Sequence, residues 1–358
     1  MKRLKLERGK EELISTGGNY LCGHILRELA REQLPEGFQS RREGAISDRD
    51  VLLTMTGLLC NGRSDFTNVN QYFEDTVFTQ SFGIENLPSE STLRQRLDEL
   101  PQARSHLALR QLNESALKVR SFGAVRAGEL DLIPVDIDVS PLDNSGSHKQ
   151  GVSFTYKKHD GYALIFAYIG TEGYMLNHEL RPGKQHCQEG TPKFIGSCVQ
   201  TLDKLKVIER LTDPDGNLLL LPQIEVNTYW TNLPCTAQDV VELYHDHGTS
   251  EQFHSELKSD LGVEQLPSGK FCVNQIVMLC AMLAFNTLRT IGQEVIARAP
   301  LAPIKIKVRR WRLKTVLQNI VYCAVRVIRH AREIKLHFGK NCLWYQIIED
   351  IARSPSRT

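Results

Sequence analysis

Three consecutive apolar runs between residues 131 and 180 constrain the fold of this 358-residue chain most tightly. In the first, residues 131–139, Ile133, Val135, Ile137 and Val139 alternate with polar positions. A period of two is that of a strand with one buried face. The same period places Asp136 and Asp138 together on the other face. Residues 162–169 and 174–180 read as two further strands joined by Gly170-Thr-Glu-Gly173, so the three should form an antiparallel meander. A helix is expected over 191–205. A hairpin is then expected over 206–211 and 218–226, around Thr212-Asp-Pro-Asp-Gly-Asn217.

On either side of these strands the periodicity is helical. In residues 1–125 apolar side chains recur at three- and four-residue spacing, clearly over 50–60 and 91–100. Segment 87–100 has a Pro-Ser entry, where the Ser89 hydroxyl can cap a first turn, and carries Arg94 and Arg96 on a short helix. Such a helix suits a helix-turn-helix reader of DNA or an ordinary packing element. Residues 236–262 and 271–297 also read as helices. The apolar centre of the latter, Ile276 to Phe285, spans ten residues and suits a buried core helix rather than a membrane span. After Pro300 and Pro303 a final helical region is expected, with Leu317, Ile320, Ala324, Val327, Ala331 and Ile334 as its apolar stripe.

Charge is unevenly placed. The formal net charge is +2, yet residues 303–340 hold eleven Lys or Arg against Glu333 alone, which leaves the rest of the chain at about −8. An acidic body with a basic segment is compatible with a polyanionic partner, and equally with a solvated helix face. The nine cysteines are scattered without a C-x-x-C pair, and the N-terminus MKRLKLERGK has no apolar signal core, so a reducing cytoplasmic compartment is expected. No phosphate-binding G-x-x-x-x-G-K-[ST] loop and no Ser/His/Asp phrase occurs, which leaves nucleotide hydrolysis and acyl transfer without support.

Two groups of residues could carry chemistry. Asp138 lies near the end of its strand, ahead of a polar loop, where a carboxylate can reach a hard divalent cation. The second group is the stretch Tyr244-His-Asp-His-Gly-Thr-Ser-Glu-Gln-Phe-His-Ser-Glu-Leu-Lys258. On one helix, Tyr244, His247, Glu251 and Lys258 would share a narrow wedge, with Glu251 set against a metal and a cation and a hydroxyl beside it for phosphate. Gly248 weakens a continuous helix, and Thr249 or Ser250 could start a new one.

The spacing Tyr-x-x-[Arg or His]-x-x-x-Glu-x-x-x-x-x-x-Lys resembles the signature around the catalytic glutamate of DDE transposases of bacterial insertion sequences, in the IS-four-like superfamily. Tyr244, His247, Glu251 and Lys258 match it throughout. The wider phrases resemble the thirteen-eighty-type branch: Val135-Asp-Ile-Asp-Val-Ser-Pro-Leu-Asp-Asn-Ser-Gly146, His159-Asp-Gly-Tyr162, Gln185-His-Cys-Gln188, Ile224-Glu-Val-Asn-Thr-Tyr-Trp230 and Leu266-Pro-Ser-Gly-Lys-Phe271. The resemblance implies an α/β fold: an RNase H-like core, incomplete in this chain, flanked by helical N-terminal and C-terminal regions. The corresponding divisions are 1–125 for DNA binding, 126–265 for the core and 266–358 for the basic tail.

It also implies Asp138 and Glu251 as catalytic and metal-binding carboxylates, with Asp136 as the alternative first aspartate and Tyr244, His247 and Lys258 in support. The implied cofactor is Mg²⁺, with Mn²⁺ as a substitute. The implied partners are double-stranded insertion-sequence ends and target DNA, bound by a homodimer at the nucleoid and away from any membrane. Arg94, Arg96, Arg309, Arg310, Arg312, Arg326 and Arg329 are the candidate phosphate contacts.

One departure accompanies the resemblance. A strand carrying the family's second aspartate should follow the helix at 191–205, yet Lys206-Val-Ile-Glu-Arg follows at once and resembles a region well downstream. An internal segment is therefore expected to be missing near 205. Asp203, Asp213 and Asp215 read as structural rather than as replacement ligands. Strand cleavage and transfer by such a chain should be impaired, and the alternative function is a non-catalytic DNA-binding transposase remnant.

Overall fold

The computed structural model describes residues 5–34, 46–127, 130–205 and 249–354. The chain forms two units: Met1–Leu100 together with Thr287–Thr358, and Pro101–Asn286. In sequence, the second unit is inserted into the first.

The first unit opens with β1 (Leu13–Ile14), α1 (Asn19–Gln33), α2 (Asp48–Leu59), α3 (Thr76–Phe82) and α4 (Glu90–Glu99). Serine hydroxyls start two of these helices, because the first-turn amides have no partner within the helix. Ser47 accepts from the Asp50 N–H at 3.0 Å and Ser89 from the Thr92 N–H at 3.2 Å, as the Pro-Ser entry predicts. Helix α2 is buried on almost every side, whereas α4 buries only Leu93 and Leu97. The buried Asp50 carboxylate accepts the Glu85 and Asn86 amides at 3.0 and 3.1 Å. Charge-assisted bonds of this kind replace the lost water and tie the chain beyond α3 to the start of α2.

The second unit contains α5 (Gln102–Lys118), β2 (Val125–Ala127), β3 (Leu130–Leu132), β4 (Val135–Asp143), β5 (Ser153–Phe154), β6 (Asp160–Ile169), β7 (Tyr174–Pro182), α6 (Thr191–Lys204) and α7 (Thr249–Ser255). The expected meander is present: β4 pairs antiparallel with β6, and β6 with β7. The first expected strand divides into β3 and β4, and β4 continues to Asp143. Central strand β6 is buried from Gly161 to Ile169 because both of its faces are covered. On one face Ile165, Ala167 and Ile169 pack with Leu117 of α5 and Phe194, Cys198 and Leu202 of α6. On the other, Phe166 and Tyr168 meet His254 of α7, and Tyr168 also meets Phe253 and Phe285.

The β6–β7 ladder changes register between Ala167 and Tyr168, a bulge that releases backbone groups from pairing. Buried side chains take them up. Asn286 accepts the Met175 N–H at 2.7 Å and donates to the Met175 carbonyl at 2.8 Å, while its amide also reaches Asn113 of α5 at 2.7 Å. Asn286 belongs to α8 (Phe271–Ala297), whose residues through Asn286 lie in the second unit and the rest in the first. Its most apolar window is 83% buried, so this is a core helix despite a length sufficient to cross a membrane.

The first unit closes with α9 (Leu313–Val316), a wider turn at Leu317–Val321, β8 (Val325–Arg329), β9 (Ile334–Phe338) and α10 (Tyr345–Arg353). The final helical region expected after Pro303, with its stripe from Leu317 to Ile334, is therefore corrected to a helical turn followed by a β-hairpin. The misleading stripe arose because Val327 and Ile334 fit helical spacing, while Val325 and Val327 with Ile334, Leu336 and Phe338 fit a period of two. These five side chains pack with Ile14 and Val77 beneath a sheet of order β1-β8-β9. Its opposite face carries Leu13, Arg326, Lys335 and His337, all exposed. The hairpin expected over 206–226 and the helix start expected at 236–248 lie outside the described residues.

Candidate active site on the central meander

Asp138 lies on β4 opposite Phe166 of β6, and Asp136 opposite Tyr168, so both carboxylates project on the face lined by α7. The Asp138 side chain is 47% exposed, whereas the histidine beside it, His254, is 6% exposed. Helix α7 packs against β4. The His254 ring stacks on Phe166 with centroids 4.8 Å apart, which brings Nδ1 to 3.7 Å from the Asp138 carboxylate.

Glu251 is exposed and lies three residues before His254 on α7. Residues three apart share a helix face. The face that touches Asp138 through His254 is therefore the face that carries Glu251. Beyond Ser255 the helix widens into a π turn over Glu256–Asp260, and the Lys258 ammonium donates to the Pro141 carbonyl at 2.5 Å. Burial pushes the Lys258 pKa below its ordinary value, while Glu264 and Asp138 pull it back up and Lys157 lowers it further. Lys258 thus holds the end of β4 close to Asp138. Tyr244 and His247 lie outside the described residues.

Two of the motif phrases meet after β4. Glu264 accepts the Asp143 amide at 2.7 Å through its carboxylate, and its backbone carbonyl takes the Asn144 side-chain amide at 2.9 Å. Lys149 bridges the Asn144 side chain, at 2.9 Å, and the Leu266 carbonyl, at 2.6 Å. Asn274 receives the Ser268 N–H at 3.0 Å and donates to the Tyr162 hydroxyl at 3.1 Å. The Asp143–Gly146 and Leu266–Phe271 phrases therefore act as a clamp on the loop after the acidic strand. His254 and Glu264 were not singled out by the sequence; the three-residue step from Glu251 is the only signal that points to His254.

The candidate DNA contacts have different fates. Arg96 is 12% exposed and paired with Asp48 of α2 and Glu99, and Arg94 pairs with Glu90 at 3.2 Å and covers the Phe66 ring. Arg329 is held by Glu12 at 2.7 Å and by the Thr76 hydroxyl. Arg309 and Arg312 are exposed, Arg310 is half-buried, and Arg326 stands on the open face of the β1-β8-β9 sheet beside Lys335 and His337.

Among the described residues no three His, Cys, Asp or Glu side chains are grouped to hold a metal ion. Asp138 and Glu251 supply hard oxygen donors of the right chemistry but not a complete donor set. Asp203 is exposed near the C-terminal end of α6, whose buried residues pack on the opposite face of the sheet from Asp138. Asp213 and Asp215 lie outside the described residues. A cavity of about 350 Å³ beside α5, β7 and α6 includes neither Asp138 nor Glu251 in its lining.

The family model described as transposase DDE domain group 1 matches the chain in two pieces, residues 2–210 and 203–357. No curated protein and no solved structure matches it.

Proposed function

We propose that this chain, which belongs to the transposase DDE domain group 1 family, is a DNA transposase whose strand cleavage and transfer are impaired by the loss of an internal segment. The carrying observation is the form of the family match: its two pieces overlap at residues 203–210, at the C-terminal end of α6. There the sequence leads to the expectation of a lost strand bearing the second aspartate.

The reading places Asp138 and Glu251 as the remaining carboxylates of an RNase H-like site, supported by the packing of α7 on β4 and by the His254–Asp138 contact. When bound, a divalent ion such as Mg²⁺ or Mn²⁺ would stabilise the leaving oxygen of a phosphoryl displacement. With two carboxylates instead of three, such an ion is held weakly. Lys258 keeps positive charge near Asp138 and the His254 ring lies against it, which suits a phosphate backbone but does not replace an oxygen ligand. Arg309, Arg312, Arg326 and Lys335 would neutralise DNA phosphates.

The test uses purified full-length chain, linear DNA carrying the insertion-sequence ends, and Mg²⁺ or Mn²⁺. Salt-sensitive DNA binding is expected, with end cleavage barely above that of an Asp138→Asn/Glu251→Gln double variant. Efficient excision would overturn the impairment. Cleavage equal to that of the double variant would identify the non-catalytic DNA-binding remnant, and cleavage without preference for the ends would indicate a nuclease instead.

A further inference from the structure

We propose that Cys323 and Cys342 form an oxidisable dithiol that can staple the open end of the β8–β9 hairpin. The two sulfurs are 4.0 Å apart. The last ladder pair on that side is Val325 with Phe338, so the cysteines lie just outside it, one on each arm. A disulfide bond length is about 2.05 Å, and the closing movement falls to the Cys342 arm. That arm has room: no atom lies within 4 Å of the position a Cβ on Gly339 would occupy, and Leu343 is exposed. The Cys323 arm is fixed, because its carbonyl accepts the Gly17 N–H at 2.8 Å and its thiol donates to the Asn319 carbonyl at 3.2 Å.

The two thiols have unequal roles. Cys323 is buried, and burial together with the neighbouring Cys342 sulfur pushes its pKa up to about 12. Thiolate is the reactive form, so Cys323 is slow to react alone. Cys342 is half-buried and accessible to a small oxidant. With hydrogen peroxide as the oxidant, the Cys342 thiol takes one oxygen and becomes a sulfenic acid, releasing one water. The Cys323 sulfur then attacks the Cys342 sulfur, its proton leaves with the sulfenic hydroxyl as a second water, and the S–S bond forms. Sulfur loses two electrons in all and peroxide gains them. A dithiol reductant reverses the step by exchange.

The outcome does not depend on DNA binding or cleavage. The folded full-length chain is treated with hydrogen peroxide, quenched with a maleimide, digested and analysed by mass spectrometry, in native buffer and in parallel in concentrated urea. The expected result is a peptide pair linked through Cys323 and Cys342, formed several-fold faster in native buffer than in urea, reversed by dithiothreitol and absent from Cys342→Ser. A linked pair that forms no faster in the native chain than in urea overturns the proposal. So does a native chain in which both cysteines remain open to maleimide after unfolding, or whose only disulfide involves the exposed Cys187.

Discussion

The two main sheets of the molecule use the same strand chemistry for opposite ends. The β4-β6-β7 sheet is covered by helices on both faces, and its centre, β6, is buried along nearly its whole length. The β1-β8-β9 sheet has one packed face, over Ile14 and Val77, and one face that presents Arg326, Lys335 and His337 to solvent. In the twice-covered sheet Asp138 stands on β4, paired only with β6, and keeps a 47% exposed side chain. A sheet covered once can carry charge along its whole outer surface. The candidate chemistry and the candidate DNA contacts follow from that difference in cover.

The largest test of the contrast concerns His178, on β7 opposite Phe166. Burial, with Arg110 and His106 adding to it, pushes its pKa from 6.5 down to about 3. Between those values the unfolded chain binds a proton that the native chain does not, so stability falls as the pH drops below 6.5 and the loss is complete near 3. The total is on the order of 5 kcal/mol. Urea denaturation at pH 7 and pH 4 should show about 3 kcal/mol of that loss in the native sequence and a much flatter dependence in His178→Phe. An equal acid loss in that variant would show that groups other than His178 bind the protons.

A smaller effect is expected at the bulge. Asn286→Ala leaves the Met175 N–H and carbonyl buried without their side-chain partner and should cost about 3 kcal/mol in the same measurement. A cost under about 0.5 kcal/mol would show that the ladder re-pairs without it. For the open sheet the expected change is in binding rather than folding. Arg326→Glu with Lys335→Glu should weaken DNA binding about tenfold or more and make the slope of log Kd against log salt shallower by about two, with stability altered by less than about 0.5 kcal/mol. Unchanged affinity would make this face an ordinary solvated surface.

The meander was legible because its alternation and its Gly170-Thr-Glu-Gly173 connection state the same period and the same turn. Both glycines adopt positive φ, at 73° and 70°. The Ser89 cap was legible for a similar reason, since its interaction is local. The β8–β9 hairpin was not. Its apolar residues satisfy a helical stripe and a strand alternation at once, and the choice is made by Ile14 and Val77, far away in sequence. At the site, the strand face of Asp138 could be read from period two, whereas the His254 contact depends on how α7 crosses β4. For Arg96 and Arg329 the sequence shows charge but not the carboxylates Asp48 and Glu12 that neutralise it.

The discontinuous first unit has a consequence for how a gene for such a chain tolerates damage. Every residue of Met1–Leu100 and Thr287–Thr358 lies outside the stretch in which the proposed loss occurred. An in-frame excision near codon 205 removes sequence from the inserted unit alone and leaves both arms of the outer one intact. A premature stop at the same codon would instead take away β8 and β9, the partners that β1 needs to form its sheet.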